Sequence, residues 1–410
     1  MLLLIGAFFA ARILFILFIP FTNSTDLNSW LHVMNVLEAG GNPYRETEVL
    51  NWPPFWMQIL FGIRQLSSYT GLSPITGIQG VLIACEALIL CIAYFIGQRF
   101  FEGKNVFKAL LFGIAINPVC IFLSCMHCNY DVFVGLWVLL AAWMLIEYSL
   151  NKSPDTWLMA CFFIGMGILT KTVPAILVPL LLIGIRGLPH RTKIFGALLL
   201  AAPFAIGMSV LFSLEPRGVM HNVISYRSMG GWYGFTGIIW TLGAGTLLPA
   251  YKILSPFLFL AVMLFAAWKC YRTAALKPAQ VLMSVLLLLL FVPTFGPGYA
   301  PPYILWFLPV AVLVFVSANP PLQKLLTACW IICILTYVVE YAVLGDHGAF
   351  LPGLLSEELG QKLPPDIGSR PMQTLTRLPI FVSYIMLFFA LIKSLRQPVD
   401  NIMTTTVHRS

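Results

Sequence analysis

The chain has 410 residues, 59% of them hydrophobic and only 10% charged, with a formal net charge of +8. That is too apolar for a water-soluble fold of this length, and a membrane β-barrel would instead show alternating segments of about ten residues. Recurrent apolar runs indicate an all-α polytopic membrane protein of about 12 transmembrane helices, forming one multi-span domain over residues 1–410.

In chain order, spans are expected near 1–20, 77–97, 107–124, 132–149, 157–170, 172–186, 194–213, 253–269, 279–293, 302–317, 325–345 and 378–394. The first has no basic n-region and no small-residue cleavage site, so it reads as a retained span and not a signal peptide. Two further apolar stretches, 54–66 and 235–250, are expected to lie in the interface. With those two left out, Arg99, Lys104, Lys108, Lys152, Arg186 and Arg191 fall on one side and Asp26, Glu38, Glu46, Glu48 and Asp131 on the other. That is the positive-inside pattern, and it puts both termini in the cytoplasm. Three longer segments, 21–76, 214–252 and 346–377, then meet on the external face.

The first of these, after span one, holds the sequence's densest signals. Asp26 opens an amphipathic stretch, 28–39, in which Trp30, Val33, Met34 and Leu37 recur at helical spacing and are expected to lie flat on the bilayer. Gly40, Gly41 and Pro43 stop that helix. Tyr44 and Trp52 are interface-anchoring aromatics, and Pro53-Pro54 set where the chain turns back into the membrane. Within span one, Arg12 is expensive unless it is partnered or lines a polar cavity; it is read either as a functional cation or as the partner of Glu86 in the next span.

Further along, His127-Cys128-Asn129-Tyr130-Asp131 packs three polar side chains into an external link, where Asn129 or Asp131 could also cap the following helix. Lys171 places an ammonium beside hydroxyls on the same face and suits a phosphate. Tyr226-Arg227-Ser228 with Trp232 and Tyr233 combines a guanidinium, hydroxyls and rings suited to sugar and phosphate. Gly296 to Tyr303 is a rigid external turn leading to Trp306. The nine cysteines lie mostly inside apolar runs, and Cys125-x-x-Cys128 has no second pair, so neither a metal site nor a disulfide framework emerges.

Taken in order, these motifs resemble the GT-C superfamily of polyprenyl-phosphate-sugar-dependent glycosyltransferases. Among its members they are most similar to the mannosyltransferases that build glycosylphosphatidylinositol anchors and their bacterial relatives. Asp26 stands where these enzymes carry an acid in the first external loop. Gly40-Gly41-Asn42-Pro43-Tyr44 resembles their G-G-x-P-Y turn, Trp52-Pro53-Pro54 their Y-x-P-P stretch, and Asn129-Tyr130-Asp131 their link with a second acid. Tyr226-Arg227-Ser228 followed by Trp232 resembles Y-x-S…W-G, and Tyr299 to Trp306 resembles S-P-Q-Y-x-x-W. The chain departs from the pattern at Pro302, where the family has Gln, and at Trp232-Tyr233-Gly234.

The resemblance implies an inverting transfer of a hexose, mannose first among candidates, from a polyprenyl-phosphate donor to a glycan, glycolipid or protein acceptor. Asp26 would be the general base. Lys171, Arg227 and Arg12 would hold the donor phosphate, and Asn129, Asp131, Tyr44, Trp52, Tyr226, Trp232 and Tyr303 would line the sugar and acceptor cleft. No cofactor beyond the lipid-linked donor, no metal and no nucleic-acid partner is expected. The expected location is a bacterial inner membrane with a periplasmic site, the alternative being the endoplasmic reticulum membrane. A multi-span transporter or lipid flippase is the competing reading of the chain.

Overall fold

The computed structural model describes residues 1–19, 24–47, 49–101, 105–224, 234–272, 277–296, 301–339 and 370–396, and among them it contains helices and no strand. Among the described residues, eight helices are long and apolar enough to cross a bilayer: Pro74–Phe100, Val106–Met126, Asp131–Asn151, His190–Leu214, Gly245–Arg272, Pro278–Phe295, Pro320–Val339 and Arg377–Arg396. Four shorter apolar helices, Leu2–Phe18, Pro154–Thr170, Val173–Leu182 and Leu308–Ser317, accompany them. The twelve coincide with the twelve runs expected from the sequence, and the chain is an all-α polytopic membrane protein.

Burial sorts these helices into a centre and a rim. The most apolar window of Pro278–Phe295 is 89% buried, whereas that of His190–Leu214 is 17% buried. Both sequences are hydrophobic all round, so one is enclosed by protein and the other presents its apolar face to lipid. Leu2–Phe18 shows both behaviours. Leu4, Phe8 and Arg12 form its buried stripe, while Leu2, Leu3, Leu17 and Phe18 are exposed.

Prolines shape the irregular elements. Within Val106–Met126, Pro118 follows Asn117 and two π-turns, Leu111–Ala115 and Phe122–Met126, flank the break. Asn117 seals it, accepting the Val119 N–H on Oδ1 at 3.0 Å and donating from Nδ2 to the Gly113 carbonyl at 2.9 Å. The expected 302–317 span is shorter than the sequence suggested: Pro301–Trp306 is a 3₁₀ segment and the α-helix starts at Leu308. The 172–186 run likewise divides at its prolines into a 3₁₀ turn, Val173–Leu177, and a short helix, Val178–Leu182.

One interfacial expectation is corrected. The amphipathic helix runs Thr25–Glu38, and its stripe of Leu27, Trp30, Val33 and Met34 is buried against protein and not laid on lipid. Its partners are the Phe55–Thr70 helix and the 127–131 link, which bury the stripe more completely than a half-immersed interface could. The 235–250 stretch, expected in the interface, is built from three pieces. It divides into a short helix, Gly234–Thr241, a 3₁₀ turn, Gly245–Leu247, and the start of the next long helix at Leu248.

Candidate active site

The site is built around the link between the third and fourth spans. Cys128 adopts φ +56°, a left-handed conformation that costs a non-glycine residue about 1–2 kcal/mol. Three hydrogen bonds hold the turn against that cost. The Cys128 carbonyl accepts from Trp30 Nε1 at 2.8 Å, the Asn129 N–H donates to the Leu123 carbonyl at 3.0 Å, and Ser24 Oγ donates to the His127 carbonyl at 2.9 Å. Ser24 is also the N-cap of Thr25–Glu38, accepting the Leu27 N–H. One serine therefore ties the helix bearing Asp26 to the link bearing its partners.

Asp26 lies in the first turn of that helix, where the N-terminal dipole favours an anion. Its Oδ2 meets His127 Nε2 at 2.8 Å and Asn129 Nδ2 at 2.7 Å. The Asn129 amide has no freedom to flip, because its Oδ1 accepts the Asp131 N–H at 2.7 Å. Burial alone would raise the Asp26 pKa. The charge and hydrogen bond of His127, the hydrogen bond from Asn129 and the charge of Lys171 outweigh it and hold the carboxyl below its ordinary 3.8. Asp26 is thus an ionised carboxylate with one oxygen doubly occupied, and its side chain keeps 31% exposure.

Lys171 comes from across the bundle. Pro154–Thr170 ends immediately before it, and its backbone is extended at φ −158°, ψ 140°, which turns the side chain out of the helical register. Its Nζ pairs with Oδ1 of the fully buried Asp131 at 2.7 Å. Three rings surround the ammonium, with centroids at 5.4 Å for Tyr130, 5.1 Å for Tyr303 and 5.2 Å for Trp306. Tyr303 and Trp306 stack on each other at 3.9 Å. Close approach of the 3₁₀ segment that carries them rests on Gly135, where a Cβ would collide with the Leu305 carbonyl.

Aromatic packing fixes the remaining wall. Trp30 makes edge contacts with Trp52, Trp56 and Tyr130, and Trp56 stacks on Tyr130 at 5.4 Å. Tyr44 donates its hydroxyl to the Trp52 carbonyl at 2.9 Å, and burial pushes its phenol pKa up. Asn222 donates to the carbonyls of Tyr44 and Thr47, tying the segment after residue 214 to the loop that follows the Thr25–Glu38 helix. Among the described residues, Trp52 Nε1, Trp56 Nε1, Tyr130 Oη, Asp131 Oδ2 and Trp306 Nε1 are buried without a hydrogen-bond partner. Buried orphans of this kind are costly, and five of them gathered around one carboxylate and one ammonium mark a place made for a polar ligand.

The structure therefore brings Asp26, Asn129, Asp131, Lys171, Trp52, Tyr44 and Tyr303 into one neighbourhood. Arg12 is not among them. It is fully buried, with Nη2 and Nε at 2.8 and 2.9 Å from Glu86 Oε2 and its guanidinium over the Phe8 ring at 3.6 Å. Its Nη1 donates at 2.7 Å to the Ala115 carbonyl, which lost its helical partner when Val119 N–H turned to Asn117. Arg12 is spent on Glu86 and on the Pro118 break, which corrects its expected part in phosphate binding. Tyr226, Arg227 and Trp232 lie outside the described residues. Sequence reasoning did not assign His127, Tyr130 or Trp306 to the site; the signal for the first two was their position inside the same five-residue link. Among the described residues, no group of three or more His, Cys, Asp or Glu gathers as a metal site would require.

Residues 51–213 match the family model for dolichyl-phosphate-mannose-protein mannosyltransferase. The fold is similar to the crystal structure of ArnT from Cupriavidus metallidurans bound to undecaprenyl phosphate. The TM-score is 0.54 at 13% identity, covering 96% of this chain and 77% of that one. No curated protein matches the sequence. The matched segment lies across the elements that carry Asn129, Asp131 and Lys171, and the likeness of fold spans nearly the whole chain.

Proposed function

We propose that the protein transfers a hexose, with mannose the first candidate, from a polyprenyl-phosphate donor to an acceptor hydroxyl, with inversion, on the external side of the membrane. The observation that carries this reading is the asymmetry of Asp26: His127 and Asn129 both occupy Oδ2. Oδ1 remains available to the acceptor. The family signature and the undecaprenyl phosphate held by ArnT support a lipid-linked donor.

In the proposed step the acceptor oxygen attacks the anomeric carbon as the bond from that carbon to the phosphate oxygen breaks. Asp26 Oδ1 takes the acceptor proton, and polyprenyl phosphate departs with the bonding electrons. A carboxylate held below its ordinary pKa is a weak base for a free alcohol. It suffices when proton transfer is late, after the forming C–O bond has made the hydroxyl acidic. Lys171 meets the growing phosphate charge, and a positioned cation of this kind is worth about 10²–10³ in rate. Asp131 holds the ammonium on station, and the rings of Tyr130, Tyr303 and Trp306 shield it from water. Arg227 is proposed as the second phosphate contact, and Tyr226 and Trp232 as further walls of the sugar cleft. No metal takes part in this scheme, and transfer should survive chelation with EDTA.

Purified protein in nanodiscs, given radiolabelled polyprenyl-phosphate-mannose and a glycolipid acceptor extract, tests the reading. Labelled product is expected from the native chain. Asp26→Asn should lose about 10²–10⁴ of that activity while still folding with a single cooperative melt. Undiminished transfer by Asp26→Asn would overturn the assignment.

A further inference from the structure

A second built site lies at the far end of the bundle. Asp131 opens, and Lys152 follows, a helix of 21 residues, so the two ends are about 30 Å apart. Around Lys152 there is a cavity of about 370 Å³, walled by Leu145, Leu180, Ile185, Leu188 and Val281. Ser149 and Ser284 also line it, and both are buried.

Two exposed cations line the same cavity, and both are held in place. Lys152 Nζ lies 5.5 Å from the Tyr148 ring, and the Arg186 guanidinium sits 4.1 Å over Tyr271. The Tyr148 hydroxyl donates to the Arg186 carbonyl at 3.0 Å, joining the two supports. Lys152 sits at φ +56°, a helix-terminating position that the backbone would more readily give to glycine, so backbone geometry does not account for a lysine there. Among the described residues neither cation makes an ion pair. Glu147 is taken by Arg99, and the exposed Asp155 pairs with neither of them.

Paired cations beside an apolar cavity at the end of a membrane bundle match one ligand chemistry, a phosphate joined to hydrocarbon. We infer that this cavity binds the phosphodiester headgroup of an anionic phospholipid, with Lys152 and Arg186 as its counter-charges. The walls take the first methylenes of an acyl chain, and the Ser149 and Ser284 hydroxyls lie beside the glycerol esters. The site is independent of the transfer chemistry at Asp26.

The test uses the full chain in a neutral detergent, titrated with phosphatidylglycerol, with phosphatidylcholine and with inorganic phosphate, and read by native mass spectrometry. Phosphatidylglycerol should be retained in preference to phosphatidylcholine. The double variant Lys152→Gln/Arg186→Gln should weaken that retention about 10-fold or more, since each basic residue contributes a separable electrostatic attraction. Lys152→Arg/Arg186→Lys should preserve it. Both side chains are exposed, so each single Gln variant should fold and give an intermediate loss, even if the double variant does not. Equal retention of the two lipids, or retention unchanged in the Gln variants, overturns the proposal. Displacement of phosphatidylglycerol by equimolar inorganic phosphate also overturns it, in favour of a free-anion site.

Discussion

Asn129 orients Asp26. Its Nδ2 reaches Asp26 Oδ2 at 2.7 Å while its Oδ1 is locked on the Asp131 N–H at the same distance. Removing this amide takes a donor from the carboxylate and nothing from its reach. A hydrogen bond to a charged group contributes about 1.5–3 kcal/mol, so Asn129→Ala should slow transfer about 10–100-fold.

The same variant should move the pH profile. Asp26 is held below its ordinary 3.8 chiefly against burial, by His127 and Asn129. A depressed carboxylate pKa keeps the base ionised above that value, and its contribution to folding is lost only as pH falls through the lower, folded pKa. Native transfer should therefore show no acid limb from Asp26 above pH 3.8. In Asn129→Ala and in His127→Ala the limb should rise toward neutrality, read as kcat/KM against pH. An unmoved limb would show that these donors do not tune Asp26.

Lys171 and Asp131 should fail in different ways. Lys171→Met removes the cation expected to meet the leaving phosphate and should cost about 10²–10³ in kcat. It also strands the buried Asp131 carboxylate, so a lower melting temperature is expected as well. Lys171→Met/Asp131→Asn should recover the melting temperature but not the rate. Recovery of both would make the pair structural only.

For Arg12 the expectation is reversed. Breaking a buried ion pair from one side costs about 3–5 kcal/mol, whereas replacing both partners can be nearly neutral. Glu86→Gln should lower the melting temperature sharply, and Arg12→Met/Glu86→Leu should recover most of it. In the double variant KM for the lipid donor should stay at its native value. A large rise in that KM would return Arg12 to the phosphate.

Gly135 gives a packing test. Its missing Cβ lets the Asp131–Asn151 helix sit against the Leu305 carbonyl. Gly135→Ala forces the 3₁₀ segment outward, carrying Tyr303 and Trp306 away from Lys171. Overpacking of this kind costs about 1–3 kcal/mol, and transfer should fall with it, even though alanine is the better helix former.

Sequence alone determined the class of the molecule and its apolar runs, because hydropathy is a local quantity that a bilayer reads directly. Asp26, Asn129, Asp131 and Lys171 were legible because each breaks an apolar pattern where a charge or amide needs a reason. The pairings were decided by tertiary structure. Nothing local says that Arg12 closes the carbonyl left open by Pro118, or that Trp30 faces Tyr130 and not lipid. Nor does any local feature tell that Lys171, forty residues from Asp131, sits against it inside three rings. Such choices depend on which helix ends the packed bundle brings to the same depth, and there burial makes every unmatched polar atom expensive enough to dictate its partner.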